Sequence, residues 1–162
     1  MNLSLTRFFG IDLGSARGKF HCAVLDDARR IQFRGELSLQ ELESKLSESS
    51  VSIAAITSPI SLNEGLLADQ KNGQQPTLLP LKNRRFNLRL CEFELIERGF
   101  SSTRTPSSIE ECSPALQRAL RFSSELAALG FQRWPAPGAE RQLMEVHPDC
   151  AFAELLGTKL TP

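Results

Sequence analysis

The stretch Arg7–Leu37, RFFGIDLGSARGKFHCAVLDDARRIQFRGEL, decides the fold. It contains three runs rich in Phe, Ile, Val and Leu, at Arg7–Leu13, Lys19–Leu25 and Ile31–Leu37, parted by the turn signals Gly14–Gly18 and Asp26–Arg30. Connections this short join only antiparallel neighbours, because a parallel crossover needs about a dozen residues or more. Directly downstream, Ser38 and Glu41 have the spacing of a capping box, and Leu39, Leu42 and Leu46 share one helical face. A helix with a single buried stripe is therefore expected over Ser38–Ser49. Val51–Ile56 is then a nearly unbroken apolar run, which suits a strand covered on both faces and returned by the helix to lie parallel to the first.

Beyond Thr57 the signals are looser. Ser58–Lys82 carries Asn, Gly, Gln and Pro without a sustained period and reads as a long loop near the sheet. Arg84–Arg98 reads as a helix whose apolar residues surround it, and Gly99–Cys112 as a Ser/Thr/Pro loop. Ser113 and Pro114 supply an N-cap and a first-turn proline, and Ala115, Ala119, Phe122, Leu126 and Leu129 keep helical spacing until Gly130. Gln142–Val146 reads as a further strand and Cys150–Leu156 as a helix closed by Gly157. The whole order predicts an α/β fold with a mixed sheet: three antiparallel strands, then parallel strands, with flanking helices. The ribonuclease H-like three-layer fold and each half of the actin-like ATPases share that order. In such sheets ligands lie beyond the carboxyl ends of the parallel strands, here Asp12–Gly14, Thr57–Pro59 and Glu145–Pro148.

Composition narrows the function classes. A chain of 162 residues, 41% hydrophobic and 23% charged, fits one domain with its own core. Lys plus Arg and Asp plus Glu each number 19, so no global field draws the protein toward nucleic acid or an anionic membrane, and a polyanion must be met by a local patch. The N-terminus has no secretory pattern and no apolar run is long enough for a membrane span, so a cytoplasmic location is expected. Cys22, Cys91, Cys112 and Cys150 lack zinc-site spacing and read as reduced, mostly buried thiols.

Asp12 ends the first strand within Gly10–Ser15, where a carboxylate among small residues can hold a divalent cation or approach a phosphate; the alternative is an acid that caps the next turn. Glu145 brings a second carboxylate to the same edge, and His147 adds an imidazole. Their structural alternatives are an edge charge facing water and a histidine hydrogen-bonded before a proline turn. Thr57 offers only a hydroxyl at the end of the fourth strand. Arg89, Arg98 and Arg104 with Thr105 and Ser107 have the chemistry of a phosphate-contacting group, or else of a solvated helix face and polar loop. Lys82–Arg85 reads as surface, and Trp134 as a packing residue.

These segments together resemble the domain of unknown function family 429, regarded as predicted ribonuclease H-like nucleases. Gly10-Ile11-Asp12 resembles its opening strand, Ala55–Leu62 its I-D-A-P-L-x-L segment, and Arg89–Gly99 its R-x-C-D-x-x-L-x-x-R-G stretch. Thr105-Pro106-Ser107 matches a T-P-S step, and Glu145–Pro148 with Phe152 matches the late E-V-x-P segment. The resemblance implies a metal-dependent phosphodiester hydrolase in which Asp12 and Glu145 hold Mg²⁺ or Mn²⁺ and nucleic acid is the substrate. Two departures modify it. The family aspartate of I-D-A-P falls on Thr57, and the chain runs only fourteen residues past Pro148, short of the closing part usual in the family. The alternative is a degenerate ribonuclease H-like module that binds nucleic acid or a protein partner without catalysis, with a second copy or another protein covering exposed sheet. An actin-like nucleotide-binding domain fits less well, because such ATPases duplicate the domain and this chain holds no repeat.

Overall fold

The structure, a computed structural model, describes residues 6–13, 18–66 and 87–157. Its elements are β1 (Thr6–Asp12), β2 (Phe20–Leu25), β3 (Ile31–Leu37), α1 (Leu39–Ser47), β4 (Val51–Ile56), α2 (Leu90–Glu97), α3 (Pro114–Ala128), β5 (Gln132–Arg133), β6 (Arg141–Glu145) and α4 (Pro148–Leu156). The strands form one six-stranded sheet in the order β3-β2-β1-β4-β6-β5. Pairing is antiparallel among β1, β2 and β3 and parallel at β1/β4, β4/β6 and β5/β6. This is a mixed sheet, three antiparallel strands continued by parallel ones, in an α/β fold.

The chain divides into two compact units, one of residues 1–60 and 115–148, the other of residues 61–114 and 149–162. The first contains the whole sheet with α1 and α3. Strand alternation sends Phe9, Ile11, Cys22, Val24, Ala54, Ile56 and Leu143 to one face, since residues paired across strands share a face. These residues join Leu42 and Leu46 of α1 and Ala119, Phe122 and Leu126 of α3 in one buried cluster. Phe122 stacks in a tilted arrangement on Phe20, with ring centroids 4.7 Å apart.

Local chemistry fixes the connections. At the β2–β3 turn the Asp26 carboxylate accepts hydrogen bonds from the Arg30 backbone N–H at 2.8 Å, Arg30 Nε at 3.1 Å and Gln32 Nε2 at 2.8 Å. The Arg30 backbone bond, ahead of the other contacts, lowers the Asp26 pKa. α1 begins with the capping box: the Glu41 backbone N–H donates to Ser38 Oγ, and the Ser38 N–H donates to the Glu41 carboxylate. Gly130, at φ 88°, ends α3 in the left-handed region that only glycine adopts without strain. Arg118 then ties α3 to the end of β1, its Nη2 donating to the Leu13 carbonyl at 2.8 Å.

Three expectations change. α2 begins at Leu90, after an Arg89 in extended conformation, and not at Arg84; residues 67–86 lie outside the described ones, as do most of the long loop and the Lys82–Arg85 run. Trp134 is 45% exposed instead of packed, and it follows β5, a two-residue edge strand too short to leave a periodic signal. Of the cysteines, Cys22 and Cys112 are buried while Cys91 is exposed and Cys150 intermediate. Burial raises the Cys22 thiol to about 11, which keeps it protonated and unreactive.

Truncating Phe122, which is 1% exposed, removes a large side chain from the centre of this core. Phe122→Ala is expected to cost about 3–5 kcal/mol in urea unfolding, whereas Leu155→Ala should change stability by less than about 0.5 kcal/mol.

Candidate functional site

Three neighbouring parallel strands, β1, β4 and β6, end at one edge of the sheet. Ile11 pairs with Ile56, and Ile56 with Glu145, so these three stand at one level. The next residue along continues the ladder: the Thr57 N–H donates to the Ile11 carbonyl at 3.2 Å, and the Val146 N–H to the Ile56 carbonyl at 2.9 Å. Asp12 and Thr57 are therefore lateral neighbours. Their side chains meet, the Thr57 hydroxyl donating to Asp12 Oδ1 at 2.9 Å.

Glu145 shares the edge with this pair but not the face. Because it pairs with Ile56, the pleat directs it with Ile11 and Ile56 toward the face that carries the core, while Asp12 and Thr57 belong to the opposite face. Its Oε2 accepts a hydrogen bond from the Ile60 N–H at 3.3 Å, which ties the carboxylate to the segment leaving β4. His147 follows two residues later and is partly buried.

The face of Asp12 carries residues that a linear reading misses. Antiparallel register places His21 of β2 opposite Asp12 and Glu36 of β3 opposite His21, so Glu36, His21, Asp12 and Thr57 form one polar row across four strands. His21 Nδ1 stands 3.8 Å from Glu36 Oε1, and Lys19 Nζ 3.4 Å from Glu36 Oε2. The signal that could have found them is the spacing of the two turns, which sets the register once the three runs are read as a meander.

Divalent-metal chemistry needs more than this row supplies. Mg²⁺ takes one or two carboxylates with water and substrate oxygens, and a two-metal centre needs several acids around cations about 4 Å apart. Here the oxygen beside Asp12 belongs to a neutral hydroxyl that donates to the carboxylate, and Glu145 is directed to the other face. Among the described residues no group of three or more His, Cys, Asp or Glu side chains could hold a metal ion. The described residues do not fit a two-metal centre.

In the second unit, Arg89 and Thr105 have a role other than phosphate contact. Arg89 is 5% exposed, and its Nε and backbone N–H donate to the Glu92 carboxylate at 2.9 and 3.1 Å. The Thr105 N–H donates to the same carboxylate at 2.8 Å. Asn63 completes the knot through its Nδ2, which donates to the carbonyls of Asn87 at 2.7 Å and Thr105 at 3.0 Å. A guanidinium held this way cannot reach a surface phosphate, so the expectation for Arg89 and Thr105 is corrected. Arg98 is exposed and pairs with Glu154 at 3.2 Å, whereas Arg104 and Ser107 are exposed on the loop.

Burial raises the Glu92 pKa, but the hydrogen bonds from Thr105 and Arg89 outweigh it and leave the pKa below its ordinary value of 4.5. A carboxyl with a depressed folded-state pKa contributes stability that is present in full above about pH 4.5 and is lost as pH falls through the folded-state value. Glu92→Gln leaves the Arg89 charge buried without its carboxylate and should cost about 3–5 kcal/mol in urea unfolding at pH 7. That gap between variant and wild type should narrow on acidification below about pH 4.5, where wild-type Glu92 also loses its charge.

The segments that shape both units coincide with a known family. The family model described as Protein of unknown function (DUF429) matches residues 10–161. Among curated proteins and solved structures no match is found. Since the match spans nearly all of the 162 residues, this chain belongs to the family of proteins of unknown function DUF429.

Proposed function

We propose that the chain is a ribonuclease H-like, nuclease-derived module whose carboxyl sheet edge keeps the layout of a phosphodiester site and has lost metal-dependent hydrolysis. The observation that carries this reading is the hydrogen bond from Thr57 to Asp12. At the position where a second acid would share a cation with Asp12, a hydroxyl donates a hydrogen bond to that carboxylate. It uses one lone pair of Asp12 and brings no negative charge of its own. The module's remaining role is binding, with nucleic acid as the ligand class that the layout fits. Among the described residues of the second unit, Arg104 and Ser107 are exposed and available to a phosphate. With equal numbers of acidic and basic residues, such binding rests on local contacts and is weak at physiological salt.

A second reading keeps the enzyme: Mg²⁺- or Mn²⁺-dependent phosphodiester hydrolysis relying on Asp12 and Glu145. It is favoured by the position of both carboxylates at the ends of parallel strands on one edge of the sheet, where ligands of open α/β sheets gather.

Labelled single-stranded, duplex and hybrid oligonucleotides, incubated with Mg²⁺ or Mn²⁺, separate the two readings. The expected result is no cleavage by the wild type, and Mn²⁺ binding about tenfold tighter or more in Thr57→Asp, because a second unit charge is added beside Asp12. Wild-type cleavage that disappears in Asp12→Asn would establish the enzyme reading instead.

A further inference from the structure

The two ends of the sheet differ. At one end β5 is two residues long and offers little backbone to pair with. At the other, β3 runs for seven residues, and among the described residues no strand pairs with its outer edge. An unpaired edge of that length presents free N–H and C=O groups and is a template for another strand.

We propose that β3 is a homodimer interface, in which two copies of this chain pair their β3 strands antiparallel about a two-fold axis at Gly35. The charge pattern of the strand selects both the partner and the register. A two-fold pairing must place core-facing residues opposite core-facing residues, so the axis passes through a residue position and not between two. Centred on Arg34 or on Glu36, the pairing sets like charges directly against each other, which is destabilising. Centred on Phe33, it sets Arg34 against the partner's Gln32 and leaves Glu36 facing Arg30, a residue already bonded to Asp26 within the turn. Centred on Gly35, it sets Arg34 against the partner's Glu36 and Phe33 against the partner's Leu37, each contact occurring twice by symmetry.

The surroundings of the strand agree with this register. Arg34 is exposed and has no acidic partner in its own chain among the described residues. Glu36 is exposed too, with Lys19 and His21 on its inner side and its outer side facing the edge. At the axis Gly35 adds no side chain, and the Phe33 ring lies over it, its Cζ 3.2 Å from where a Cβ would stand. Phe33 is itself held from behind by Lys45, whose Nζ sits 4.6 Å from the ring centroid. Pairing of the two edges would join two six-stranded sheets into one continuous sheet.

Charge reversal tests this directly, by sedimentation velocity and light scattering of the full chain over a range of concentrations. The wild type should show a mass twice the 18.0 kDa of one chain. Arg34→Glu and Glu36→Arg, each alone, should raise the dimer dissociation constant about tenfold or more, because each sets like charges opposite one another twice. An equimolar mixture of the two variants should recover the dimer, and so should the double variant R34E/E36R. Recovery on mixing also shows that each single variant is folded. A single-chain mass for the wild type at every concentration, or a dimer that neither single reversal weakens, would overturn the proposal.

Discussion

The parallel pairing of β1 with β4 is the constraint on which the rest of the first unit depends. Parallel neighbours cannot be joined by a tight turn, so the chain must leave β3, cross as α1 and return. That crossing places Leu42 and Leu46 over the sheet, where they meet Phe9, Ile11, Ala54 and Ile56. α3 then covers what α1 leaves, and its Arg118 bond to the Leu13 carbonyl fixes it at the end of β1. Because β6 pairs parallel to β4 in turn, three strand ends gather at one edge. The candidate site exists there because of pairing direction, before any side chain is considered.

The second unit is organised by a charge. Glu92 is 2% exposed and collects donors from Arg89 and Thr105, a state that a buried carboxylate sustains only when its oxygens are satisfied. The loop through Thr105 is thereby held against the start of α2, and Asn63 ties the segment after β4 to the backbone carbonyls of Asn87 and Thr105. Residues with the chemistry of phosphate recognition thus serve as internal struts. Arginine beside threonine on a polar loop has the same composition in either use, and burial separates the two.

Pleat parity is as consequential as pairing direction. Asp12 and Glu145 both terminate parallel strands, yet one residue of offset in the ladder directs them to opposite faces. The same parity aligns Asp12 with Thr57, His21 and Glu36, three residues distant from it in sequence by unequal steps. A hydroxyl, an imidazole and two carboxylates in one row make a polar strip on the sheet. They do not make the cluster of acids that two cations require.

The sequence by itself determined the three-strand meander, the capped helix after it, the parallel return at Val51–Ile56 and the helix ended by Gly130. Each is written in local terms: short turns, a Ser38/Glu41 box, a 3.6-residue apolar spacing, a glycine in a left-handed conformation. It also carried enough ordered motifs to point to the family. Tertiary structure alone decided the rest, because the deciding quantities are pairwise between residues far apart in the chain. The face of Glu145 depends on its register with β4, the partner of Asp12 on a hydroxyl 45 residues later in the chain, and the burial of Arg89 on a carboxylate and a loop that close around it. Two-residue β5 and the exposure of Trp134 left no periodic trace, since a strand that short is specified by its neighbour and not by its own residues.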